Sequence, residues 1–137
     1  MSVSRPARDA SSCFVCGAEN SIGLHAEFTL DGHRIVGEFV PTDLHVGFAG
    51  LVHGGILAAV LDDALAWLGY YVGEELVTAR LSIRYRQPAR PGQRLRVEAE
   101  ETGRRGPARH GRAVLRTDDG HVVAEAEATL LRAPDHV

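Results

Sequence analysis

No lysine occurs anywhere in this 137-residue chain, and every one of its 15 basic residues is an arginine. A coding bias accounts for that before any arginine is given a task. The acids outnumber the arginines only slightly, for a formal charge of −3. So small a charge, and of this sign, implies neither a nucleic-acid partner nor a strongly acidic one. Long hydrophobic runs are missing too. The longest apolar-rich stretch, 56–72, contains Asp62 and Asp63 and falls short of a bilayer span. Residues 1–12 hold arginines but no apolar h-region, so no secretory signal is expected. They read as a frayed tail, with a short transit peptide as the weaker alternative and the cytoplasm as the default address. Cysteine is scarce: Cys13 and Cys16 form one Cys-x-x-Cys pair, with no second pair to complete a four-ligand zinc site. His25 and His33 are too far apart for the usual His-x(3–5)-His spacing. Two reduced cysteines in a structured N-terminal turn are favoured over a metal site or a redox dithiol, and no metal or other cofactor is expected.

What is present is ordinary for a globular protein, with 45% apolar and 24% charged residues and room for one core. The expected division is a tail over 1–12, one domain over 13–132 and a short tail over 133–137. Residues 24–30 and 34–40 read as strands joined at Asp31-Gly32, a good hairpin signal. The segment 41–50 reads as a loop, with Pro41, Asp43, Gly47 and Gly50 as breakers. One convincing helix follows over 56–68, rich in Leu and Ala and apolar nearly all round, which predicts a buried helix. Gly69 and Gly73 offer its stopping points. The stretch 76–87 alternates, with Val77, Ala79, Leu81, Ile83 and Tyr85 on one face and Thr78, Arg80, Ser82, Arg84 and Arg86 on the other. Strands over 95–102, 108–117 and 121–131 complete the pattern. Two early strands, one helix and four later strands make an α+β domain, satisfied by an antiparallel sheet wrapped around one central helix.

Two features of the helix point to chemistry. His53-Gly54-Gly55 opens it with glycines, exposing unpaired N–H groups at the positive end, where an anion or a developing oxyanion can be held. Close packing of the helix start is the plainer reason for the two glycines. Asp62 weighs toward function, because a carboxylate on an all-round apolar helix is costly to bury unless paired or used. Gly55 and Asp62 are seven residues apart, hence on one face but separated by roughly 10.5 Å along the axis. One reacting carbonyl needs its donor within ~3 Å and its base or nucleophile at similar range. One helix cannot supply both, whereas an antiparallel second copy can. The spacing therefore favours a two-fold dimer with two composite sites.

His53-Gly54-Gly55, Asp62 and the run Thr78-Ala79-Arg80-Leu81-Ser82-Ile83-Arg84-Tyr85-Arg86-Gln87-Pro88 resemble the phenylacetate-type and mammalian-type hotdog thioesterases. The opening Cys13-Phe14-Val15-Cys16-Gly17-Ala18-Glu19-Asn20-Ser21-Ile22-Gly23-Leu24-His25 resembles the N-terminal motif of a bacterial branch of that superfamily. The resemblance spans about 13–131. It implies a hotdog fold and hydrolysis of an acyl- or aryl-CoA thioester by a homodimer or a dimer of dimers. By the same resemblance Asp62 matches the catalytic acid, acting as general base or nucleophile. Gly54, with Gly55 beside it, matches the backbone donors to the carbonyl, His53 a residue bonding the loop or ligand, and Thr78 a hydroxyl orienting water or the carboxylate. A strand-edge threonine is the plainer reading of Thr78. Many relatives carry Asn or Gln six residues before the histidine; here Gly47 stands there, so either His45 or another loop group substitutes or the step runs without that help.

Ten of the arginines fall between Arg84 and Arg116. Arg104 and Arg105, in a Gly-Arg-Arg-Gly turn, are candidates for coenzyme A phosphates, since arginine binds phosphate bidentately. A solvated outer sheet face is the plainer reading. Trp67, Tyr70 and Tyr71 read as core or subunit interface, and His110, His121 and His136 have no role legible in the sequence. Two other functions fit the same architecture: a hotdog dehydratase acting on a 3-hydroxyacyl thioester, and a non-catalytic acyl-CoA or acyl-carrier binding protein. The absence of a readable His/Asp pair argues against the first. Asp62 beside a hydroxyl-bearing residue argues against the second, since simple binding needs no charge beside a neutral carbonyl.

Overall fold

The computed structural model describes residues 10–133; most of the expected N-terminal tail, nearly all of the C-terminal one and His136 lie outside them. The chain forms β1 (Glu27–Asp31), β2 (Arg34–Phe39), a 3-10 turn (Asp43–His45), α1 (Gly54–Ala66), α2 (Gly69–Val72), β3 (Leu76–Tyr85), β4 (Leu95–Arg105), β5 (Ala108–Thr117) and β6 (Val122–Arg132). The six strands make one antiparallel sheet in the order β1-β2-β4-β5-β6-β3, and α1 packs against five of them. This is the hotdog fold.

Helix α1 presents Leu57, Val60, Leu61, Ala64 and Leu65 at i, i+3, i+4, i+7 and i+8, and all five are buried. They meet Ile35, Leu95, Val97, Leu115 and Leu130 in one core. Each fully buried Leu or Val stabilises the fold by about 2 kcal/mol relative to exposure. Helix and sheet come close at Gly111 of β5, where an added Cβ would lie 2.8 Å from a Leu65 methyl. Apart from the exposed Gly55, the remaining flanks of α1 are half-covered rather than open, which suits the helix's apolar character all round.

The first strand starts later than the hydrophobic pattern suggests. Leu24 and Ala26 give their N–H groups to the carbonyls of Phe14 and Val15 at 2.8 and 2.9 Å, so this stretch lies against the N-terminal turn and pairing in the sheet begins at Glu27. The helix starts at Gly54, two residues early, because the His53 side chain caps it. Trp67 closes it and packs between Phe28 and Tyr70, ring centroids 5.4 and 4.5 Å away. Among the described residues, no helix is long and apolar enough to cross a membrane.

One departure matters for the site. Strand β3 does not alternate regularly: Thr78 pairs with Leu130 and Arg80 with Thr129, so Ala79 is an extra residue. Such a bulge inverts the two faces on either side of it. Regular alternation would set Thr78 opposite Leu81, Ile83 and Tyr85. With the bulge, Thr78 shares their helix-facing side while Val77 is exposed.

Arg109 departs from the expected solvated arginine face. It is buried on β5, donates to both carboxylate oxygens of Glu74 at 3.1 Å and to Glu101 at 3.0 Å, and holds the Glu74 carboxyl below its ordinary range. This clamp fixes the loop that leads into β3.

Candidate active site

The site is built around the two middle turns and the start of α1. At mid-helix, the Thr78 hydroxyl donates to Asp62 Oδ1 at 2.5 Å in a half-buried setting. The bulge at Ala79 is what brings that hydroxyl inward. At the helix start, Gly55 N–H donates to His53 Nδ1 at 2.8 Å. A backbone N–H can only donate, so Nδ1 accepts and the neutral ring carries its proton on Nε2. Gly55 is thereby committed to the cap. Its missing side chain makes room for the ring, since an added Cβ would lie 3.0 Å from Nδ1. The N–H groups of Ile56 and Leu57 go to the His53 carbonyl. Among the described residues, Gly54 N–H has no hydrogen-bond partner, so it is the donor left uncommitted in the first turn.

Tyr85 is a residue that sequence reasoning missed. Its hydroxyl donates to the Gly54 carbonyl at 2.7 Å, its ring lies beside the Gly54 Cα, and burial pushes its pKa up. Alternation had placed it only as one apolar member of a strand. The aligned carbonyl and ring fix how Gly54 faces outward.

The loop before the helix is equally determined. His53 N–H donates to the His45 carbonyl at 2.8 Å, and Val46 bridges Val52. His45 Nδ1 accepts from Thr42 N–H at 2.9 Å, capping the 3-10 turn, and burial holds the imidazole pKa below its ordinary value. His45 is thus spent on the turn. Gly47 lies against the His53 ring, where an added Cβ would come within 3.3 Å of Cδ2. A longer side chain there would press on the capping ring, which gives glycine a local reason at this position.

The structure does not bring Arg104 and Arg105 to these groups. They sit at the exposed tip of the β4–β5 hairpin, Arg104 pairing with Glu101 at 3.6 Å. Across the sheet, Arg104 and Thr78 are separated by Arg109 and Leu130, three strand spacings or roughly 14 Å.

Behind Asp62, on another side of the helix, Asp63 meets Cys13 and Cys16 of the N-terminal turn. Both cysteines are free and half-buried. Burial pushes the Asp63 carboxyl and the Cys16 thiol up.

Comparison with known proteins identifies the family. The family model of the Thioesterase superfamily matches residues 49–124, and the chain belongs to that superfamily. Among solved structures, the thioesterase superfamily protein RHA08564 superimposes with a TM-score of 0.79 at 28% identity, over 85% of this chain and 61% of the other. A phenylacetic acid degradation-related protein of Ralstonia eutropha JMP134 is 30% identical, with a TM-score of 0.71, over 79% of this chain and 85% of its own. A Streptococcus pneumoniae TIGR4 thioesterase-type protein crystallised with coenzyme A shares the fold, with a TM-score of 0.74 at 18% identity over 79% and 85% of the two chains. Among curated proteins, the 3-hydroxyacyl-acyl-carrier-protein dehydratase FabZ of Bacillus cytotoxicus is 50% identical over 46 residues, 34% of this chain. The matched stretch is 31% of that dehydratase's length.

Proposed function

We propose that the protein is an acyl-CoA thioesterase, hydrolysing an acyl or aryl thioester to the free acid and CoA at a site shared between two copies of the chain. The observation that carries this reading is the Thr78–Asp62 hydrogen bond. A carboxylate held by a hydroxyl on the half-buried flank of a helix is oriented for attack or proton transfer, and simple ligand binding would not need it. In this reading Gly54 N–H receives the thioester oxygen as negative charge develops, while His53 and Gly55 keep that N–H pointing outward. Asp62 of the facing copy either draws a proton from the water that attacks the carbonyl, or attacks the carbonyl itself to give a mixed anhydride that water then cleaves, releasing the free acid and restoring the carboxylate. The thiolate leaves and takes up a proton as CoA.

Two further features support the shared site. Gly54 and Asp62 are two helical turns apart, too far to act on one carbonyl from a single helix. Strand β3 is an edge of the sheet, ten residues long, and a long edge strand pairs readily with a second copy. An antiparallel pairing there would bring two α1 helices side by side. Arg104 and Arg105 serve in this reading as contacts for the phosphates of the extended coenzyme arm, from the partner's side or past the hairpin tip.

The test is thiol release from short, long and aromatic acyl-CoAs. Asp62→Asn and Asp62→Ala should each abolish turnover while acyl-CoA still binds; near-normal turnover in both would sink the mechanism. Gly54→Pro removes the uncommitted N–H at the first helical position, where proline is tolerated and the extended His53 backbone already suits it. We expect a loss of about 10²–10³ in kcat. Co-refolding Gly54→Pro with Asp62→Asn chains should regain activity, because a mixed dimer holds one intact pair; no recovery would place the whole site within one chain. The FabZ match favours a dehydratase as the second reading, and water loss without thiol release from a 3-hydroxyacyl thioester would establish it.

A further inference from the structure

Cys13 and Cys16 do not stand alone once the chain is folded. The Cys13 and Cys16 sulfurs and an Asp63 carboxylate oxygen all lie within 4.8 Å of one another. The N-terminal turn supplies the sulfurs, and α1 supplies the oxygen. Spacing along the chain offered only two ligands, because the third comes from an element far downstream.

Three details bear on what this cluster is for. The Cys13 Sγ to Asp63 Oδ1 distance is 3.5 Å. Tetrahedral zinc, bonded at about 2.3 Å to sulfur and about 2.0 Å to oxygen, sets such a pair about 3.5 Å apart. Secondly, Asp63 Oδ2 is buried without a hydrogen-bond partner among the described residues. A buried carboxylate oxygen with no donor is costly unless a cation or water completes it. Thirdly, the cluster borders a cavity of about 190 Å³ that Trp67, Tyr70 and Glu75 also line, so an ion has a route in and space for a fourth, water ligand. The backbone around the sulfurs is already ordered. Gly17 N–H bonds the Cys13 carbonyl at 2.9 Å, and Leu24 and Ala26 bond Phe14 and Val15.

We infer that Cys13, Cys16 and Asp63 form a binding site for one zinc-class divalent cation, which fastens the N-terminal turn to α1. Two thiolates and one carboxylate suit such an ion, being softer than the all-oxygen sets of calcium or magnesium. Binding releases the two thiol protons to solvent and involves no change of oxidation state. Three protein donors leave one tetrahedral position to water. The site lies one residue from Asp62 but on another side of the helix, so it anchors the helix and takes no part in attack on a thioester.

The test uses the full chain, reduced, stripped with a chelator and titrated with Co²⁺ and then Zn²⁺. The expected result is one Co²⁺ per chain with a thiolate-to-cobalt charge-transfer band, displaced by Zn²⁺, and a melting temperature raised by the metal. Zinc should also shield both thiols from a thiol-specific reagent. Cys16→Ser and Asp63→Asn should each weaken cobalt binding beyond the ~10–100-fold typical of an outer-shell contact. A wild-type chain with two titratable thiols and no charge-transfer band would overturn the inference, and this needs no variant to fold. Cobalt affinity unchanged in a folded Asp63→Asn chain would overturn it as well, since the dithiol alone would then account for binding. None of these readouts depends on thioester hydrolysis, so they stand or fall apart from the proposed activity.

Discussion

Asp62 and Asp63 are neighbours in the chain, yet the fold gives them opposite surroundings. A turn of about 100° separates them on α1. Asp62 looks toward β3 and receives a hydroxyl hydrogen bond from Thr78. Asp63 looks toward the N-terminal turn, meets two sulfurs, and keeps one buried oxygen without a partner. The same side chain is therefore held by a hydroxyl on one side of the helix and set beside two sulfurs on the other. Residue type decides little here; the packed element decides.

Neutralising each acid in turn separates the two. Asp62→Asn should lower kcat for thioester hydrolysis by about 10²–10⁴-fold, the range for a positioned acid or base. Asp63→Asn should be read in metal affinity and melting temperature, with a loss of kcat at least ~10-fold smaller than that of Asp62→Asn. Equal losses of kcat would show that the two acids act as one unit. A smaller effect is expected at Thr78. Hydrogen bonds to charged groups contribute roughly 1.5–3 kcal/mol, so Thr78→Val should lower kcat by about 10–100-fold. Thr78→Ser keeps the hydroxyl and should restore most of it; a serine variant as slow as valine would mean that the methyl packing matters instead. Smallest of all is the effect of charge at the hairpin tip. Arg104→Glu with Arg105→Glu should raise KM for acyl-CoA several-fold with kcat unchanged, and more at low ionic strength. A fall in kcat would tie that tip to the reacting centre.

Much of the architecture is legible in the chain because it rests on local periodicity. The Asp31-Gly32 hairpin, the apolar helix and the four later strands each follow from spacing within a short window. Asp62 is legible for a related reason, as a charge inside an apolar pattern. The parts that escape are set by contacts between distant segments. No period signals that Ala79 is an extra residue, so Thr78 reads as facing away from the helix that it serves. Arg109 looks like any other arginine of the series until Glu74 and Glu101 close around it. Tyr85 gains its role from a carbonyl 31 residues earlier in the chain. Cys13 and Cys16 lack further ligands only as long as Asp63, on α1, is out of view.

The bulge at Ala79 divides β3 into two segments with opposite rules for inside and outside. A library that diversified outward positions by simple alternation would randomise the wrong residues in one half. It would treat Thr78 as surface and Val77 as core. Deletion of Ala79 would join Thr78 to Arg80 in a regular strand, with the partners Leu130 and Thr129 unchanged and Thr78 still facing the helix. What would turn Thr78 to solvent is a strand that kept Ala79 and took it into the ladder, so the bulge lets the chain carry an extra residue without losing the inward hydroxyl.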